Sequence, residues 1–196
     1  MSKFLDMEPV WIRKPKQEII ASDRVEIVTE PRTDLWQRTY YGFQNDNAPV
    51  LQVETTEKYF SFVVKTMFES EYRFDQCGVV MYIDSENWFK ASIEYENKEY
   101  QRLGSVVTNQ GYSDWATTDI PAGIKEMWYR FSRRESDFCI ECSPDGQKFK
   151  QMRIFHMWKG KEEIKFGIYA CSPEQSSFKA VFTNMEITEC RWKAHK

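Results

Sequence analysis

"DQCGVVMYIDSENWFKASIEYE", residues 75–96, contains two strand-like runs, and their alternation decides the fold. In the second run Phe89, Ala91, Ile93 and Tyr95 fall on one side, while Trp88, Lys90, Ser92, Glu94 and Glu96 fall on the other. Successive residues of a strand point to opposite faces, so the first set reads as core and the second as an outer face. In the first run Val79, Met81 and Ile83 alternate with Val80, Tyr82 and Asp84 in the same way.

Working outward, similar short runs recur at intervals of roughly ten residues along the chain, from "VEIVTE" (25–30) to "FKAVFTNMEI" (178–187). That spacing is the pattern of an all-β sandwich or barrel. The Asp145-Gly146 pair between two such runs reads as a hairpin turn, and no helical period is sustained. One all-β domain spanning 1–196 is expected, with residues 1–20 as a loose N-terminal arm. "WYRFSRR" (128–134) alternates too, placing Tyr129 and Phe131 inward and Trp128 and Arg130 outward. If these strands share one curved sheet, Tyr82, Trp88, Lys90, Glu94, Trp128 and Arg130 form a polar, aromatic-studded face.

Aromatic residues make up 16% of the 196, enough apolar bulk for a substantial core. A net charge of −3 lacks the cationic surplus that phosphate backbones or anionic lipid surfaces demand, so neither nucleic acid nor membrane is an expected partner. The first twenty residues hold no apolar run typical of an export signal. Five cysteines and no N-x-S/T sequon suit a reducing, cytoplasmic setting.

In "NQGYSDWATTD" (109–119), which reads as a loop, Tyr112 and Trp115 stand among small polar residues. They either close the end of the core or make a stacking platform for a ligand, with Asp114 capping its own turn or meeting that ligand. "EYENKE" (94–99) has the carboxylate spacing of retaining glycosidases built on sandwiches, although Asn97-Lys98 looks like a turn that would separate Glu99. Cys139 and Cys142 sit inside one strand-like run with no second pair nearby, so inert thiols are expected rather than a metal site. His195 is the penultimate residue, which leaves His156 as the histidine available for acid-base work, although a packed or hydrogen-bonded structural role is the favoured reading for it. Arg133-Arg134 reads as a solvated strand edge. No phosphate-binding glycine loop occurs, and neither a cofactor nor a metal ion is expected.

Several stretches together, "DLWQRTYYGF" (34–43), the opening segment, "LGSVVTNQGYSDWATT" (103–118), "SPDGQKFKQMRIFHM" (143–157) and "FGIYACSPEQSSFKAVFTNMEI" (166–187), give a resemblance over Thr33–Ile187. They resemble the uncharacterised concanavalin-A-like family that includes the yeast regulator of enolase protein. The resemblance implies a two-sheet jelly roll with a concave face, the family's polar positions falling on Tyr82, Trp88, Lys90 and Glu94, on Thr108 and Tyr112 to Trp115, and on Arg153, His156, Ser172 and Ser177.

The expected function is binding of a sugar or sugar-derived ligand on the concave face. Tyr82, Trp88, Tyr112 and Trp115 would stack, and Lys90, Glu94, Asp114 and Arg130 would take hydroxyls. A carbohydrate-active enzyme using Glu94 with Lys90 or His156 is the first alternative, and a protein-interaction module regulating a metabolic enzyme the second.

Overall fold

Residues 2–193 are described by a computed structural model. The first half holds β1 (Ser2–Lys3), β2 (Val10–Ile12), β3 (Gln17–Ile20), β4 (Arg24–Val28), β5 (Leu35–Gln37), β6 (Gln44–Asp46), β7 (Val50–Thr55), β8 (Tyr59–Phe68) and β9 (Gln76–Asp84). The second holds β10 (Asn87–Tyr95), β11 (Tyr100–Asn109), β12 (Tyr112–Pro121), β13 (Glu126–Arg134), β14 (Asp137–Ser143), β15 (Lys150–His156), β16 (Ile164–Cys171) and β17 (Lys179–Glu189). The chain forms two large antiparallel sheets. The first has the order β15-β14-β13-β8-β17-β4-β3 with β1 beside β17, the second β12-β11-β10-β9-β16-β7-β2, and β5 pairs β6 apart from both.

The sheets close on each other because each buries one set of alternating side chains. Val79, Met81, Phe89, Ala91 and Ile93 from the second sheet meet Val64, Tyr129, Phe131 and Phe182 from the first in one continuous core. The rings of Phe89 and Phe131 stack across the gap with centroids 5.7 Å apart, and Phe131 stacks on Phe138 at 5.5 Å. Burying one such ring stabilises by about 1.5–3 kcal/mol, and Phe131→Ala would cost about 3–5 kcal/mol through lost burial and the cavity left.

Three expectations are corrected. Residues 2–20 are not a loose arm: β2 pairs with β7, β3 with β4, and Phe4 is fully buried with its ring 5.2 Å from Phe62. Residues 112–119 are not a loop. Gln110 and Gly111 both take positive φ (52° and 78°), the turn geometry whose twist matches a two-residue hairpin, so β12 is paired to β11 from Tyr112 onward. Its composition is polar because it is an edge strand with much of its length in solvent. Arg133 is not a solvated edge residue either. It is fully buried and donates to five carbonyl oxygens, those of Glu57, Glu135, Gly160, Lys161 and Glu162, closing one end of the core where loops leave their backbone acceptors unpaired.

Candidate functional site

The second sheet turns its other face away from the core, and the register fixes what stands there. Lys90 lies opposite Val106, Ser92 opposite Gly104, and Glu94 opposite Arg102 and Gln76, while Val106 lies opposite Trp115 on β12. Gly104 carries no side chain where a Cβ would stand 3.3 Å from the Trp115 indole nitrogen and 2.8 Å from the Ala116 carbonyl oxygen, so the indole can lie across the strand.

Half of this face is covered by the segment that carries the β5–β6 hairpin. Leu35, Trp36 and Ala48 fill a second apolar cluster with Val50, Val80, Tyr82, Trp88, Val106 and Tyr169. Polar ties pin the cover: Tyr82 donates to Asp46 at 2.8 Å, the Gln37 backbone N–H to Ser113 at 3.0 Å, and Arg38 to the Gly111 carbonyl at 2.8 Å. The other half stays open as a cavity of about 320 Å³. Trp36, Tyr41 and Phe43 of the hairpin segment line it together with Trp115, Phe74 and Pro173; Asp34, Gln76, Lys90 and Glu94 supply polar groups, and Asn45, Val106 and Glu174 complete the lining. Trp36 meets Trp115 edge-on at 6.3 Å and Tyr41 at 5.4 Å, a mutually braced arrangement of rings.

The polar groups are coupled. Lys90 is 3% exposed and donates to Asp34 at 3.1 Å. Burial is the largest single influence and opposes its charge, but the Asp34 carboxylate together with the neighbouring Cys171 and Glu94 outweighs it and raises the pKa, so Lys90 stays an ammonium. Burial pushes the Glu94 carboxyl up to about 7, against the pull of Lys90, with the Asp34 charge adding to the rise. Gln76 orients it: its amide nitrogen donates to Glu94 at 3.0 Å while its oxygen accepts from the Tyr169 hydroxyl at 2.9 Å. A carboxyl poised near neutrality in a cavity can hold or release a proton at cellular pH.

Of the residues singled out from sequence, the structure brings Lys90, Glu94 and Trp115 to this cavity. Tyr82 shares the face, but its hydroxyl is engaged by Asp46 behind the cover, and Trp88 is fully buried with its N–H donated to the Ser85 carbonyl. Tyr112 is exposed at the hairpin turn, where the Arg38 guanidinium lies 5.8 Å from its ring. Asp114 pairs with Arg153 at 2.7 Å and borders a shallower depression with Tyr40, Tyr41, Trp36 and Trp115.

Arg130 and Trp128 do not share the face. They lie on β13 of the first sheet, where Arg130 makes a two-pronged pair with Glu141 at 2.6 and 2.7 Å and lies 4.3 Å from the Phe149 ring. His156 lies on β15 of that sheet, its Nδ1 2.7 Å from Asp137, and is absent from the cavity lining, so no Glu94–His156 couple is assembled. His195 is outside the described residues. Nor do Glu94 and Glu96 act as a pair: Glu96 follows the end of β10 and is held by Arg73 at 2.8 Å and Arg102 at 3.4 Å. Cys139 is buried and Cys142 partly so, both unpaired, with burial pushing the Cys139 thiol up to about 12. Sequence reasoning missed Asp34, Trp36, Tyr41, Phe43 and Gln76 as lining residues. The aromatic run in residues 34–43 was the available signal.

The class these features define is a concanavalin-like jelly roll in which the outer face of the second sheet is partly covered by a docked hairpin and partly open as an aromatic-lined cavity. The chain belongs to the family described as "Protein of unknown function (DUF1349)", whose model matches residues 11–190. It is 32% identical over 185 residues to "Regulation of enolase protein 1" of Saccharomyces cerevisiae, covering 94% of this chain and 91% of that one. Among solved structures, a functionally unknown protein from Saccharomyces cerevisiae superposes with a TM-score of 0.85 at 30% identity, over 92% of this chain and 96% of that one. The GH43 protein BlXynB of Bacillus licheniformis superposes with a TM-score of 0.70 at 15% identity, over 91% of this chain but 36% of that one. That second likeness shows a shared sandwich fold alone. No helix among the described residues is long and apolar enough to cross a membrane.

Proposed function

We propose that this chain binds a small polyhydroxylated ligand, a sugar or sugar-derived metabolite, in the cavity beside the β5–β6 hairpin. One observation carries the reading: rings of Trp36, Tyr41, Phe43 and Trp115 wall a space with Asp34, Lys90, Glu94 and Gln76 converging on it. Sugars present C–H faces that stack on rings and hydroxyls that need charged or amide partners, so this mixture fits them better than a purely apolar ligand. The volume is at the low end of the roughly 300–1,000 Å³ typical of ligand sites, which favours a ligand of one or two rings. Five unpaired thiols support an intracellular setting.

Thermal unfolding against mono- and disaccharides at millimolar concentration tests the reading. A ligand at ten times its Kd stabilises by about 1.4 kcal/mol, which raises Tm by roughly 3–6 °C for a domain of this size. A shift with one sugar class that Trp115→Ala removes is the expected result, and no shift across the panel counts against it.

The Glu94 carboxyl favours a second reading, turnover of a bound sugar with Glu94 as the proton-transfer group. Lys90 stays charged against Asp34 and is unsuited to act as the base. Turnover of labelled oligosaccharides that persists in Glu94→Gln would remove this mechanism.

A further inference from the structure

We infer that the cavity selects a cationic ligand, a sugar or polyol bearing a protonated amine, and rejects its phosphorylated and uronic-acid counterparts. This rests on the sugar-binding reading and narrows its ligand class. Three carboxylates, Asp34, Glu94 and Glu174, line the cavity against the single ammonium of Lys90. That ammonium is already paired with Asp34 at 3.1 Å, leaving no unpaired cation in the lining among the described residues to receive an anion. An entering phosphate or carboxylate would meet the Glu174 charge and the ionised fraction of Glu94, whereas an ammonium would be attracted to Glu174 and would draw Glu94 into its ionised form.

The aromatic wall points the same way independently of the carboxylates. Ring faces attract cations, and Trp36, Tyr41, Phe43 and Trp115 surround one space. On this same face the protein already sets cations against rings: Lys90 Nζ lies 5.8 Å from the Tyr169 centroid, and the Arg102 guanidinium lies 5.5 Å from that of Trp115. Arg102 is not part of the cavity lining: it lines the small adjoining recess together with Glu94 and Trp115, and its charge is paired with Glu96 at 3.4 Å.

Binding an ammonium beside Glu94 should also move a proton. The charged and titratable groups facing Glu94 are Lys90 and Glu96 on its own segment, Arg102 on β11, Asp34 ahead of β5, and Tyr169 and Cys171 on β16. Within that set the carboxyl, raised to about 7, keeps a share of its proton near neutral pH, so a new cation displaces that proton into the buffer.

The test is titration calorimetry at pH 6.5, in two buffers of different ionisation enthalpy, with glucosamine, galactosamine and mannosamine, their parent hexoses, the matching hexuronic acids and a hexose 6-phosphate. The expected result is that one amino sugar binds at least about tenfold more tightly than its uronic acid, with proton release that Glu94→Gln abolishes. Parent hexoses binding as well as the amino sugars, or acids binding better, would overturn the inference and leave the sugar reading standing. Failure of every probe to bind would overturn both.

Discussion

Two strands of this sandwich carry the same outward pattern, a tryptophan two residues before a cation, and put it to different ends. On β13 Trp128 precedes Arg130, whose guanidinium is satisfied by both oxygens of Glu141. On β10 Trp88 precedes Lys90, which has Asp34 as its close partner while a second carboxyl, Glu94, shares its surroundings. The first arrangement is electrostatically closed. The second holds more acid than base beside an open space, and that imbalance is what the protein can offer a ligand.

The largest effect that separates the two regions is expected from removing each cation. Lys90→Met leaves Asp34 and Glu94 without their buried partner and should cost on the order of 3–5 kcal/mol, a fall in Tm of roughly 6–20 °C. A Tm within 2 °C of the parent would show that the Lys90–Asp34 pair is dispensable.

Glu94→Gln sharpens the contrast through pH. The folded-state pKa is raised from an ordinary 4.5 to about 7, so in that window the folded chain holds more protons than the unfolded one. Stability from this group therefore falls as pH rises from about 4.5 through 7. The glutamine retains the acceptor for Gln76 and removes the cost of the buried charge. It should raise stability by on the order of 2 kcal/mol at pH 8 and change little at pH 4.5, as read by denaturant unfolding at the two values. Equal effects at both pH values would contradict the shift.

Arg130→Met should show the smaller cost of breaking a partly buried pair, about 1–2 kcal/mol, and leave ligand affinity unchanged. Comparable in stability, yet decisive for binding, is Gly104→Ala. Its methyl would crowd the Trp115 indole and the Ala116 carbonyl, so affinity should fall about tenfold while Tm drops by a few degrees. Unchanged affinity would place Trp115 outside the binding surface.

Much of the fold was legible in the sequence because period-two alternation is a local property: Phe89, Ala91 and Ile93 reveal their inward face from spacing alone. Two lining positions, Lys90 and Glu94, were legible for the same reason, whereas Trp115 stood out by composition, as a ring among small polar residues in a stretch that reads as a loop. Alternation does not say which strands share a sheet, so Arg130 and Trp128 were grouped with Lys90 although they belong to the opposite layer. Nor does it reveal coverage. Asp34 lies 56 positions from Lys90, and Trp36, Tyr41 and Phe43 become walls only once their hairpin docks across β10 and β11. Arg133 was misread because its five partners are loop carbonyls, which leave no side-chain signature.

The central claim is that ligand enters beside Trp36 and Trp115 and not on the outer face of β13. The seven tryptophans give each region its own indole N–H signal in a proton–nitrogen correlation spectrum. Titration with the tightest-binding sugar from the panel should move the Trp36 and Trp115 signals together and leave those of Trp128 and Trp158 in place. Movement confined to Trp128 or Trp158, or an unchanged spectrum at saturating sugar, would contradict the assignment of the cavity as the binding site.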